Sequence, residues 1–132
     1  MRVLICPDKF AGTLSAPEAA EAIAAGWHDS APDDVLSRRP LADGGPGFVD
    51  ALAAALPGTR IPVRTCDPLG RPADGELLLV GDTVYVECAQ ACGLQLLAPD
   101  ERDPRRVTSY GLGLLLAAAA ESGARTAVVG LG

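Results

Sequence analysis

The amino-terminal arrangement constrains the fold most. A short apolar run, Val3-Leu4-Ile5-Cys6, passes into a loop at residues 7–13 and then into Ser15-Ala16-Pro17-Glu18. A continuous apolar run this short reads as a buried strand. Ser15 and Glu18 have the spacing of a capping box, in which Ser15 caps the helix and Glu18 reaches back to the Ser15 N–H. A buried strand that leads through a loop into a capped helix is the usual opening of an α/β domain. The loop then lies at the carboxyl edge of a parallel sheet, where such folds bind ligands.

The periodicity carries this helix to about Trp27, with Ala19, Ile23 and Trp27 on one face. His28 then reads as a surface residue. Residues 35–39 read as a second strand. The glycine-rich segment Leu41-Ala42-Asp43-Gly44-Gly45-Pro46-Gly47 enters a second helix, with Phe48, Leu52 and Leu56 on its apolar face and Pro57-Gly58 as its stop. Residues 60–65 alternate, and Pro62 marks that strand as an edge strand. Pro68-Leu69-Gly70-Arg71-Pro72 is a turn. Residues 77–80 and 83–88 are strands joined by Gly81-Asp82, a two-residue hairpin signal. Residues 90–107 read as irregular. A helix capped by Thr108 or Ser109 ends at Ser122-Gly123, and residues 126–131 form another buried strand. The fold expected is α/β: a Rossmann-like parallel βαβα start, an antiparallel or mixed meander, then a helix and a buried strand. The switch of pattern places a boundary near Gly58, giving a first α/β unit over residues 1–58 and a second over 59–132. A domain rarely finishes on an apolar strand with no helix to cover it. The 132 residues are therefore expected to be the front part of a longer protein.

Composition excludes several functions. A net charge of −6 argues against nucleic acid or an anionic membrane as the main partner. With one histidine, no multi-histidine metal site forms within the chain. The sole lysine, Lys9, lacks the upstream glycines of a Walker-type loop. Cys6, Cys66, Cys88 and Cys92 include no CxxC pair, so zinc spacings fail and reduced cytoplasmic thiols are expected. The amino terminus meets Pro7 too early for a signal peptide. The apolar run at residues 111–120 is too short to span a bilayer.

Four segments carry residues suited to chemistry. Residues 7–13 offer a carboxylate (Asp8), an amine (Lys9), Gly12 and a hydroxyl (Thr13). Lys9 is suited to neutralising a phosphate, and Asp8 to holding Mg2+ or accepting a proton. The alternative is a solvated turn whose polar groups satisfy its own backbone. Asp43, Gly44 and Gly45 form a backbone that a ligand can approach, and the helix start behind them favours an anion. Asp43 is a metal ligand or a helix cap. Arg71 is either a bidentate clamp for a carboxylate or a surface arginine. Thr108 and Ser109 are hydroxyls at a helix start. Glu87 ends a strand and either faces the site or pairs with an arginine.

Together these segments resemble one family. Residues 6–15 look like the "APDSFKGSLS" opening of the type-1 glycerate kinases, and residues 41–47 look like their "ADGGEGT". Asp67-Pro68-Leu69-Gly70-Arg71-Pro72 is similar to "GPLGRP", and Thr108-Ser109-Tyr110-Gly111-Leu112-Gly113 to "TTYGTGE". Val128-Val129-Gly130-Leu131-Gly132 looks like the start of "IGIGGSATNDGG". Order and spacing agree along the whole chain, which looks like the amino-terminal third of such a protein.

The resemblance implies a two-lobe α/β kinase that transfers the ATP γ-phosphoryl group to a hydroxyl of D-glycerate, with Mg2+. It implies catalytic roles for Asp8, Lys9 and Asp43, with Asp8 and Asp43 as Mg2+ ligands. Arg71, Gly44, Gly45 and Ser109 would bind substrate, and Gly12, Thr13, Gly130 and Gly132 the nucleotide. Self-association into a homo-oligomer stays open. The competing reading is a non-catalytic α/β module that holds a small anionic metabolite. Lys9 stands where the family has serine and Ala11 where it has lysine. Residues i and i+2 of an extended loop share a face, so the displaced charge still reaches the site. Pro46 replaces the family's glutamate and Phe48 a threonine.

Overall fold

The computed structural model describes residues 1–132 as two sheets with their helices. Strand β1 (Arg2–Ile5) pairs in parallel with β2 (Val35–Arg38) across the crossover helix α1 (Ala16–Ser30). Helix α2 (Phe48–Ala53) then leads to the second sheet. There β3 (Thr59–Cys66), β4 (Pro72–Val80) and β5 (Thr83–Glu87) form an antiparallel meander, and β6 (Thr126–Gly130) adds in parallel to β5. The short helix α3 (Ala89–Cys92) and helix α4 (Tyr110–Glu121) fill the β5–β6 crossover. The expected parallel start and mixed meander are both present, and β3 is an edge strand as Pro62 requires.

The capping box forms in full. Glu18 N–H donates to Ser15 Oγ, and Ser15 N–H donates to Glu18 Oε2 at 2.8 Å. The buried face of α1 differs from the expected one. Ala16, Ala19, Ala20 and Ala24 are buried, whereas Ile23 and Trp27 stay half-exposed. Alanines at i, i+4 and i+8 bring the helix axis close to the strands, and Ile5 packs on Ala20 and Ala24. The larger side chains are left at the rim, where Trp27 Nε1 donates to Asp34 Oδ2 at 3.0 Å. In α2 it is Val49 and Ala51 that are buried; Phe48, Leu52 and Leu56 are only half-buried.

Neither terminal strand is buried on both faces. In β1, Ile5 faces α1 while Leu4, on the other face, is exposed. In β6 only Gly130 is buried, because this edge strand has a single neighbour. The main core lies under the second sheet, where Leu77, Val84, Val86, Ala91, Leu115 and Ala119 close on one another. A fully buried Leu or Val contributes about 1.5–3 kcal/mol relative to an exposed one. Helix α4 shows its apolar run to this core on one face only, through Gly111, Leu115 and Ala119. The segment after β5 is more ordered than its sequence suggests. It holds α3 and single 3-10 turns at Leu94–Leu96 and Pro99–Glu101.

The strands divide between the sheets near Gly58, but α2 crosses that division and packs on β4 and β5. Phe48 meets Tyr85 edge to face, with ring centroids 6.3 Å apart.

Candidate active site

Strand polarity gathers the motifs. β3, β5 and β6 run in the same direction, so Cys66, Glu87 and Gly130 end at one edge of the four-stranded sheet. The loops after β1 and β2 run side by side, with Leu41 N–H donating to the Pro7 carbonyl at 2.9 Å.

Three of the five motifs meet. Lys9 Nζ lies 3.3 Å from Asp43 Oδ1 and 4.0 Å from Asp8 Oδ1. Asp43 Oδ1 also accepts the Gly45 N–H at 2.8 Å. That N–H, with the Lys9 ammonium beside it, holds the Asp43 carboxyl below the usual carboxylate range. The glycine loop rests on the end of β6. Gly44 adopts φ +92°, a left-handed conformation that suits glycine. A Cβ on Gly130 would stand 2.6 Å from the Gly44 carbonyl oxygen. Gly130 is therefore dictated by the close approach of two backbones, and Gly132 touches Gly45 in the same way. Asp8, Lys9, Gly12, Thr13, Leu41, Pro46 and Gly47 border an open groove of about 300 Å3. A larger groove of about 430 Å3, beside Glu21, His28, Asp34 and Arg38, contains none of the motif residues.

Within the first loop, Gly12 and Thr13 serve a tight turn. Thr13 N–H and Oγ1–H both donate to the Phe10 carbonyl, at 2.9 Å each. Asp8 Oδ1 accepts the Lys9 N–H at 2.6 Å.

The other two motifs form a separate cluster at the same sheet edge. Thr108 N–H donates to the Pro68 carbonyl at 2.9 Å, and Thr65 Oγ1–H to the Gly111 carbonyl at 2.7 Å. Ser109 precedes α4 without capping it through its side chain; Thr108 Oγ1 accepts the Tyr110 N–H instead. The Arg71 guanidinium, read from the sequence as a carboxylate clamp or a surface arginine, is engaged by groups of the chain itself. It donates to Asp67 through Nε, to Glu101 through Nη1 at 2.7 Å and to the Leu96 carbonyl at 3.1 Å. Asp67 is buried, which alone would raise its pKa. Arg71 and the N–H groups of Arg71 and Leu69 outweigh that and hold it low.

Glu87 turns toward the glycine loop. It pairs with no arginine. Its carboxylate is buried and accepts the N–H groups of Gly47 and Val49 at 3.0 and 3.1 Å. The protein's own carboxylate thus takes the anion position expected for a ligand at the start of α2. The one legible sign was a charged residue closing an otherwise apolar strand. The four cysteines are unpaired. Burial, then the adjacent Cys92, pushes the Cys88 thiol up to about 11.

Mg2+ takes oxygen donors, commonly one or two carboxylates completed by water and phosphate. Asp8 and Asp43 supply that donor set around a position of positive charge, now held by Lys9. No third His, Cys, Asp or Glu joins them. No helix is long and apolar enough to cross a membrane.

The chain is 39% identical to the glycerate 2-kinase of Escherichia coli K12 and 40% identical to the glycerate kinase of Bacillus subtilis 168, in each case over all of its length. It spans about a third of the length of these curated relatives (35%). A crystal structure from Salmonella typhimurium LT2, described as a glycerate kinase 2, superposes with a TM-score of 0.81 at 36% identity. The superposition covers 100% of this chain and 36% of that one. The model of the glycerate kinase family matches residues 3–132, and the chain belongs to that family.

Proposed function

We propose that the chain forms part of an ATP-dependent kinase that phosphorylates a hydroxyl of D-glycerate, acting in the cytoplasm. The observation that carries this reading is the Lys9 ammonium between the Asp8 and Asp43 carboxylates, beside a glycine loop. Phosphoryl transfer requires positioning and charge neutralisation more than covalent chemistry. Lys9 faces the phosphoryl oxygens. Asp8 accepts the proton of the attacking hydroxyl. Asp43 orders Gly45 and sets the position of Lys9. Mg2+, held by Asp8 and Asp43, supplies further neutralisation of phosphate charge when bound. Gly44, Gly45, Gly130 and Gly132 pack backbone on backbone beside the groove and set the path of the loop that carries Asp43. The Asp67–Arg71 turn and Ser109 border the same sheet edge, with Ser109 free to meet substrate and Arg71 holding the turn.

The test is release of ADP from Mg-ATP by the complete protein of which the chain forms part, with and without D-glycerate, in the wild type and in Asp43→Asn. Glycerate-dependent release that collapses in the variant supports the proposal. Saturable glycerate binding without ADP release would identify a non-catalytic binding module instead.

A further inference from the structure

We propose that Glu87 is the positioning residue of the glycine loop. The kinetic part of its test rests on the phosphoryl-transfer reading; the structural part does not. Glu87 is 5% exposed, ends the central strand β5 and stands opposite Gly130 in the parallel pair with β6. Its two oxygens take separate donors, Oε1 the Gly47 N–H and Oε2 the Val49 N–H. No arginine or lysine pairs with it. A buried carboxylate is costly unless its oxygens are satisfied, and here backbone N–H groups of another segment satisfy them.

The consequence reaches the groove. Gly47 is fixed to β5 through Glu87, and Gly44 lies on Gly130 at the end of β6. The loop is thereby pinned at both ends, and Asp43, immediately before it, meets both Gly45 and Lys9. Glu87 touches neither Lys9 nor Asp43. It acts on them through the backbone it holds.

Glu87→Gln preserves shape but offers one acceptor oxygen, so its amide group faces one of the two N–H donors. Residue-resolved amide exchange reads the loop directly. Exchange at Gly47 and Val49 is expected to quicken about tenfold or more, while Leu77 and Val86 keep their protection. In the protein, the KM for one substrate is expected to rise more than kcat falls. A merely structural lesion lowers kcat with the folded fraction and leaves both KM values in place. Unchanged exchange in a folded Glu87→Gln protein, or a fall in kcat alone, overturns the proposal. Should the variant fail to fold, the wild type decides. Gly47 and Val49 amides that exchange as slowly as the sheet support the role; exchange at the rate of a free loop contradicts it. Absence of glycerate-dependent turnover in the complete wild-type protein of which the chain forms part refutes the kinase reading, and the exchange result then decides the role of Glu87 by itself.

Discussion

Lys9 Nζ lies 3.3 Å from Asp43 Oδ1, although the two residues are 34 positions apart in sequence. The contact joins the loop after β1 to the loop after β2, and it places the only lysine of the chain at the groove. It is an exposed pair, and such pairs contribute little to stability. Its worth lies in where it holds a positive charge.

Lys9→Ala is therefore expected to separate activity from folding. Loss of one preorganised charge from a phosphoryl site lowers kcat/KM by about a hundredfold or more. The thermal midpoint should hardly move. ADP-release kinetics and a melting curve on the same preparation check both statements.

Asp67 and Arg71 should behave in the opposite way. Asp67→Ala removes the acceptor of the Leu69 and Arg71 N–H groups and the partner of the Arg71 guanidinium. A cost of about 2–3 kcal/mol is expected from denaturant unfolding. Arg71→Ala should lower the melting temperature while leaving the KM for glycerate in place, since its donors serve Asp67, Glu101 and Leu96. A large rise in that KM would restore the carboxylate-clamp role.

Gly130→Ala tests the contact between the glycine loop and β6. The added methyl group would stand 2.6 Å from the Gly44 carbonyl and 2.8 Å from Phe48 Cδ1. Overpacking of this kind costs about 1–3 kcal/mol. The loop should shift, and amide chemical-shift changes should spread to Gly44, Gly45 and Lys9.

Acid should unfold the chain through identifiable carboxylates. Glu18 is held below its ordinary 4.5 by the Ser15 hydroxyl and N–H. Asp34 is held below 3.8 by the amino-terminal ammonium and then by Trp27. Asp67 lies below 3.8 despite its burial, because Arg71 and two backbone N–H groups favour the charged form. A depressed folded pKa gives stability that is complete above the unfolded value and lost as pH falls through the folded one. Stability at these groups should thus be flat above about pH 5 and decline below the ordinary carboxylate range. Unfolding midpoints measured from pH 7 down to pH 3 check the direction, and Asp67→Asn should flatten the slope.

Local features were legible in the sequence, and contacts across the sheets were not. The Ser15–Glu18 box and the Gly81-Asp82 hairpin close within a few residues, so residue type and spacing fix them. The buried face of α1 is not legible in the sequence because alanine carries little hydrophobic signal, yet Ala16, Ala20 and Ala24 let the helix approach closely. The exposure of β1 and β6 is not legible either, because an apolar run does not say how many neighbours a strand has. The Glu101 partner of Arg71 and the Gly47 partner of Glu87 lie 30 and 40 residues away. Tertiary packing brings them together: the Pro99–Glu101 turn lies on the Arg71 turn, and the glycine loop lies at the end of β5. Residues 7–13 and 41–47 follow β1 and β2, and residues 128–132 run off the carboxyl end of β6, so the three motifs meet.

The central claim is that the groove bordered by Asp8 and Lys9, with Asp43 paired to Lys9 beside it, receives phosphoryl groups. Residue-resolved NMR titration of the chain with Mg-ATP and then D-glycerate tests it most directly. Saturable shifts centred on Lys9, Asp43, Gly44, Gly45 and Gly130 are predicted. Shifts confined to the groove beside His28, Asp34 and Arg38, with the glycine loop unmoved, would contradict it.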